Sequence, residues 1–229
     1  MKAAAASNRR IATLLALVAL SGFCVALLAV RIERTANDHY DFLAWNLFLA
    51  WVPFVLALLV YDIRRRGVGA VGQLALGGLW LLFLPNAPYI VTDLIHLGTI
   101  PGAPLWFDAG MIAAFAFTGL VLGLGSLFLV QFALADAFGR RAGWALVLGV
   151  IPLCSVGVYV GRFLRLNSWD ALVDPSVLAG PVHAFLLDPL GSERFLAVTV
   201  LFTGFLALSY FLLYAVAHVG LALEPARRR

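Results

Sequence analysis

The sequence predicts an all-α integral membrane bundle of six transmembrane helices, its third span discontinuous at a Pro-Asn-Ala-Pro break and both termini cytoplasmic. Three observations predict it. Of 229 residues, 63% are hydrophobic and only 12% are charged, whereas a soluble domain is roughly 45–50% apolar and about 25% charged. Continuous apolar runs of about 20 residues recur along the chain, the length that crosses a bilayer. Such a segment satisfies its own backbone in lipid only as a helix, and a barrel would show short stretches of alternating polarity instead. Finally, the basic residues gather in alternate connections, as a polytopic helical protein requires.

The first span is expected near residues 11–31, after Lys2, Arg9 and Arg10. It is longer than the roughly 7–15-residue core of a signal peptide, and no small-residue cleavage pattern follows, so it reads as an uncleaved span. The others fall near 42–61, 71–97, 108–136, 143–164 and 195–221. Residues 11–221 then form one transmembrane domain between a short cytoplasmic tail, 1–10, and a basic one, 222–229. Pro53 and Pro152 interrupt the second and fifth spans, where proline kinks a helix. Gly119 and Gly123 place a G-x-x-x-G in the fourth, a spacing that lets helix backbones approach closely, here within the monomer. Cys24 and Cys154 lie in apolar runs, belong to no C-x-x-C pair, and read as small buried hydrophobes.

Orientation follows from charge. With the N-terminus inside, the inner segments carry 11 basic residues against three acids, and the outer segments five against nine. The inner sum is +8 and the outer −4, together the formal +4. The clusters at Arg64, Arg65 and Arg66 and at Arg227, Arg228 and Arg229 flank spans, so they set topology and meet anionic lipid rather than nucleic acid. Trp45, Trp106, Trp144 and Trp169 fall at expected interfaces, while Trp51 and Trp80 lie deeper.

The third span carries the densest polar chemistry. Residues 72–84 supply about 20 Å of helix, short of a bilayer core roughly 30 Å thick. Pro85 and Pro88 then remove two backbone donors and crowd the preceding turn, so the backbone is expected to open inside the outer leaflet. A second helical piece over 89–97 completes the crossing. It puts Tyr89, Asp93 and His96 on one face, by their spacing of four and three. Two further segments reach the same side. Asp38, His39, Asp41 and Asn46 lead into the second span, and Arg162, Arg165, Asn167 and Asp170 lead out of the fifth. Ionisable residues at the end of a span mark a functional site by default.

Three stretches, "YDFLAWNLFLAWVPF", "FLPNAPYIVTDLIHL" and "GRFLRLNSWDAL", resemble the signature blocks of a bacterial membrane-protein family catalogued as domain of unknown function 1361. The resemblance covers about residues 38 to 220. It implies a multi-pass bacterial membrane protein and no established activity, so it brings no catalytic residues with it; the location expected for the chain is the bacterial inner membrane.

A buried polar group without a partner costs roughly 2–7 kcal/mol, so Asn46, Asn86, Tyr89, Asp93, His96, Arg162 and Arg165 must find one another, water or a ligand. In a closed network, Arg162 and Arg165 neutralise Asp93 and Asp41, and Asn86 ties off the opened backbone. In a binding site, the paired arginines hold a small anionic group such as a lipid head group. In a membrane-embedded hydrolase or transferase, Asp93 and His96 ligate a divalent metal, with His39, Asp41 or Asp108 as further ligands. A transporter would also use a broken span, though no matching break appears in another part of the chain. Asp41, Asn167 and Asp174 carry a plainer reading as helix caps.

Overall fold

A computed structural model of the chain describes residues 2–65, 69–98, 101–174, 176, 180 and 193–223. The C-terminal arginine cluster and Arg66 lie outside these residues. The elements are α1 (Lys2–Thr35), α2 (Phe42–Arg65), α3 (Ala70–Phe83), the short α4 (Asn86–Tyr89), a 3-10 segment (Ile90–His96), α5 (Leu105–Phe138), α6 (Arg140–Tyr159), a wide π-type turn (Val160–Leu164), α7 (Ser168–Val173) and α8 (Glu193–Leu223). Six stretches are long and apolar enough to cross a membrane, and the third of them, Ala70–His96, is bent. The fold is an all-α bundle, as the apolar runs require.

The long helix α5 is the axis. It packs against α1, α2, α4, the 3-10 segment, α6 and α8, so it touches every other spanning stretch. One core fills the space around α1, α2 and the bend with Tyr40, Leu43, Phe54, Ile90, Ile112 and Phe115. A second joins α3, α5, α6 and α8 through Trp80, Leu127, Val147, Ile151 and Tyr210. Outward faces carry large apolar side chains such as Leu15, Phe48, Phe117 and Leu208. A protein so dressed sits among lipid chains, where apolar surface costs nothing. Buried polar side chains pair within the bundle: Trp80 donates to Ser126 Oγ at 3.2 Å, and Tyr210 donates to Gln131.

Local sequence explains the connections. α5 and α6 are joined by Gly139 alone, at φ +88°, a left-handed conformation that glycine adopts freely. Pro53 and Pro152 lie inside α2 and α6, and both helices continue through them.

Glycines on two helices seat the bend. A methyl group at Gly119 would come within 2.5 Å of the Ala87 carbonyl oxygen, and one at Gly123 within 3.0 Å of the Ala87 side chain. On the opposite flank, a methyl at Gly157 would overlap the Pro85 ring. The G-x-x-x-G of α5 therefore serves an intramolecular contact, and Gly157 and Gly161 of α6 and the π-type turn form its counterpart against Pro85 and Tyr89.

Candidate functional site

The bend begins where proline removes donors. Pro88 has no N–H for the Leu84 carbonyl, and Ala87 supplies one instead at 3.1 Å, a tighter i to i+3 bond. Leu84, Pro85 and Ile90 all keep right-handed dihedral angles. The chain thus tightens into 3-10 geometry, whereas the two prolines alone suggested an opened backbone. Carbonyls released by the tightening find side chains. Asn86 Nδ2 donates to Phe83 O at 3.0 Å, and Ser168 Oγ donates to Leu82 O at 2.9 Å. Asn86 Nδ2 also donates to Ser168 Oγ at 3.0 Å, which ties α7 to the bend.

Beyond the bend lies an ion pair. Asp93 is fully buried and accepts from Arg162 at 3.1 Å and from Asn46 Nδ2 at 2.9 Å, one bond on each carboxylate oxygen. The same guanidinium donates to Tyr89 OH at 3.2 Å and to Thr92 O at 3.0 Å, and it meets His96 Nε2 at 3.0 Å. Both terminal nitrogens of Arg162 are therefore engaged inside the protein.

In an α-helix Arg162 and Arg165, three apart, would share a face. The π-type turn and a left-handed Arg165 (φ 57°, ψ 32°) break that register. Arg162 turns inward and Arg165 outward, where it is exposed and pairs with no described residue.

A second pair was missed from sequence as a site. Arg31, at the end of α1, is buried and grips Asp108 of α5 with both ends of its fork, Nε to Oδ1 at 2.8 Å and Nη2 to Oδ2 at 3.3 Å. The Tyr40 ring covers the guanidinium at 4.3 Å, and its hydroxyl donates to His96 O at 2.9 Å. Burial and the Asp108 carboxylate push the Tyr40 phenol above its ordinary range, with Arg31 opposing. The two pairs are thus joined in one chain running Asp108, Arg31, Tyr40, His96, Arg162, Asp93, Asn46. The signal for Arg31 was present in the sequence: it too is an arginine at the end of an apolar run on the side poor in basic residues.

Beside this network lies a cleft of about 650 Å³ between α2, α3, the bend, α6 and α7. Its polar wall is Asn46, Asn86, Tyr89, Asn167 and Ser168, and Leu49, Gly78, Leu81, Leu153 and Val156 line the rest. From Gly78 to Tyr89 the wall extends roughly 16 Å along the third span. The polar residues cluster toward the α7 end and the apolar ones lie deeper. Trp45, exposed at the rim, stands edge-on to Trp169 at 6.2 Å. None of the described lining residues is charged.

The remaining residues expected at the site are not in the described lining of this cleft. Asp170 accepts from the backbone and side-chain nitrogens of Asn167, at 2.7 and 3.0 Å, and fixes the start of α7. Asp41 is exposed just before α2. His39 turns back on Asn37, its ring nitrogen 2.8 Å from Oδ1. Asp93 and His96 both contact Arg162, and no group of three His, Cys, Asp or Glu side chains gathers among the described residues.

A family described as protein of unknown function (DUF1361) matches residues 45–209. The chain belongs to that family. The DUF1361 match contains Asn46, the whole bend, Asp93, Arg162 and the cleft wall, and it begins beyond Arg31 and Tyr40. No curated protein and no solved structure matches this chain. The DUF1361 protein is therefore a multi-pass helical membrane protein with buried polar networks, and what it binds must be argued from its own side chains.

Proposed function

We propose that this protein binds an amphipathic molecule of the bacterial inner membrane in the cleft, polar head toward α7 and apolar chain toward Leu49 and Leu153. The cleft itself carries this reading. About 650 Å³ is within the usual range of ligand sites, and apolar walls with a few placed polar groups are their usual chemistry. In this reading Asn46, Asn86, Tyr89 and Asn167 meet the head. Asp93, His96 and Arg162 hold that wall in place, Arg165 and Asp170 flank its Leu166–Ser168 stretch in the chain, and Asp41 precedes its Trp45 by one turn. The committed guanidinium favours a polar head over a small anion at Arg162 itself. A metal-assisted hydrolase or transferase draws less support, because the described residues set no third ligand beside Asp93 and His96.

The orientation belongs to the same proposal. The basic inner connections put both termini in the cytoplasm and the bend, with its cleft, in the extracytoplasmic leaflet. A membrane-impermeant thiol reagent should label Asp38→Cys in intact spheroplasts and spare Arg141→Cys; the reverse pattern overturns the orientation.

Gly78 offers a clean test of the cleft. Gly78 lines the cleft and a Cβ there meets nothing within 4 Å, so the site accepts a side chain and Gly78→Phe is chosen to occupy the cleft. Lipid extracted from protein purified in mild detergent should be lost in Gly78→Phe with the thermal transition unchanged. Equal lipid content in the two proteins would end this reading.

A further inference from the structure

We infer that the cleft selects an uncharged, hydroxyl-bearing head, that of a neutral glycolipid or glyceride, over a phosphate. This rests on the cleft reading above and deepens it. Two asparagines have their amide orientation set by chemistry. Asn46 must turn its nitrogen to Asp93, because a carboxylate facing it only accepts. Asn86 must turn its nitrogen to the Phe83 carbonyl and to Ser168, and both of its N–H groups are used. The two carboxamide oxygens are left over. Neither accepts a hydrogen bond from a described residue, both residues line the cleft, and neither oxygen is among the buried, unpartnered atoms of the described residues.

The other polar groups of the wall complete the pattern. Ser168 spends its proton on Leu82 O. The Tyr89 hydroxyl accepts from Arg162 and so keeps its own proton to give. Asn167 spends one Nδ2 hydrogen on Asp170 and keeps the other, so the wall offers the Asn46 and Asn86 oxygens as acceptors and Tyr89 and Asn167 as donors, with no charge. A phosphate brings only acceptors and negative charge. It would face two carbonyl-type oxygens with no cation among the described lining residues, a desolvation cost without return. An ammonium could donate but not accept from Tyr89, and its charge would meet no carboxylate in the lining. A hydroxyl does both, and a sugar or glycerol carries several. The apolar depth of the cleft calls for a chain on that head, which separates this ligand from a free sugar.

The test uses the full-length protein in phosphatidylcholine nanodiscs, whose background lipid has no hydrogen-bond donor. The probes share one dansyl-labelled tail: glucosyl-diacylglycerol, its tetra-O-methyl form and phosphatidic acid. Binding is read by energy transfer from tryptophan, Trp45 being in the wall. Glucosyl-diacylglycerol should bind about tenfold more tightly than the methylated form, as one or two net hydrogen bonds allow. It should also bind more tightly than phosphatidic acid, and free glucose should not displace it. In Asn46→Leu the advantage over the methylated form should shrink to about threefold or less. The comparison among probes on the unaltered protein needs no variant to fold. Equal binding of methylated and free heads, tighter phosphatidic acid, or displacement by glucose overturns the inference. If every tailed probe binds alike and Gly78→Phe blocks them all, the cleft reading stands and only the hydroxyl preference falls. If no probe binds, both fall.

Discussion

Two guanidinium–carboxylate pairs lie at the same end of the bundle, and their surroundings differ. Arg31 and Asp108 are sealed: the fork is bidentate, both side chains are nearly or fully inaccessible, and the Tyr40 ring closes the outer face. Arg162 and Asp93 make a single contact at 3.1 Å, and the arginine side chain keeps 13% of its surface. It spreads its other bonds over Tyr89, Thr92 and His96. Through Asn46 and Tyr89 this second pair backs directly onto the cleft. The sealed pair clamps α1 to α5, and the distributed one positions the wall of the cleft. Like chemistry thus serves a staple in one place and a scaffold in the other, and the number of partners sharing the charge tells them apart.

The largest expected effect breaks the sealed pair. Arg31→Met leaves Asp108 buried without its cation, at a cost of about 3–5 kcal/mol, seen as a large drop in the thermal midpoint in detergent. Adding Asp108→Leu should recover most of that loss, because the apolar pair carries no desolvation cost. A double variant no more stable than Arg31→Met would show that the clamp is not the ion pair. Asp93→Leu should cost less, about 1.5–3 kcal/mol, because Arg162 retains three other partners. Unlike Arg31→Met, it should also reduce lipid retention, through the freed Asn46 amide. Equal lipid content in the two variants would erase the distinction between staple and scaffold.

The smallest effect is expected at the opposite end. Arg10 and Asp62 join α1 to α2 at 3.3 Å with both side chains substantially exposed. Solvent screens such a pair, so Arg10→Ala should shift stability by no more than about 1 kcal/mol. A loss as large as that at Arg31 would mean that exposure does not rank these pairs.

The sequence carried the spans well, because length and apolarity are local properties that lipid reads directly. It also marked Asn46, Asp93, His96 and Arg162 as residues that had to find partners, and those four meet. Arg165 was paired with Arg162 by an α-helical spacing that the π-type turn removes; no local signal announces where a helix widens by one residue. Asp108 was read as a possible metal ligand and Arg31 as an outer charge, since nothing in either segment says that they face each other 77 positions apart. Ser168 answers a carbonyl 86 positions earlier, a pairing that no local pattern announces.

What the sequence by itself determined is the number of membrane-length apolar helices, the bundle's all-helical nature and that the third of them bends, because hydrophobic length and missing proline donors act within a few residues. Tertiary structure alone decided which charges pair, that the bend tightens between two glycine-lined helices, and that a cleft remains beside it. Those outcomes depend on which helix faces meet, a property that distant segments hold jointly and that neither possesses alone.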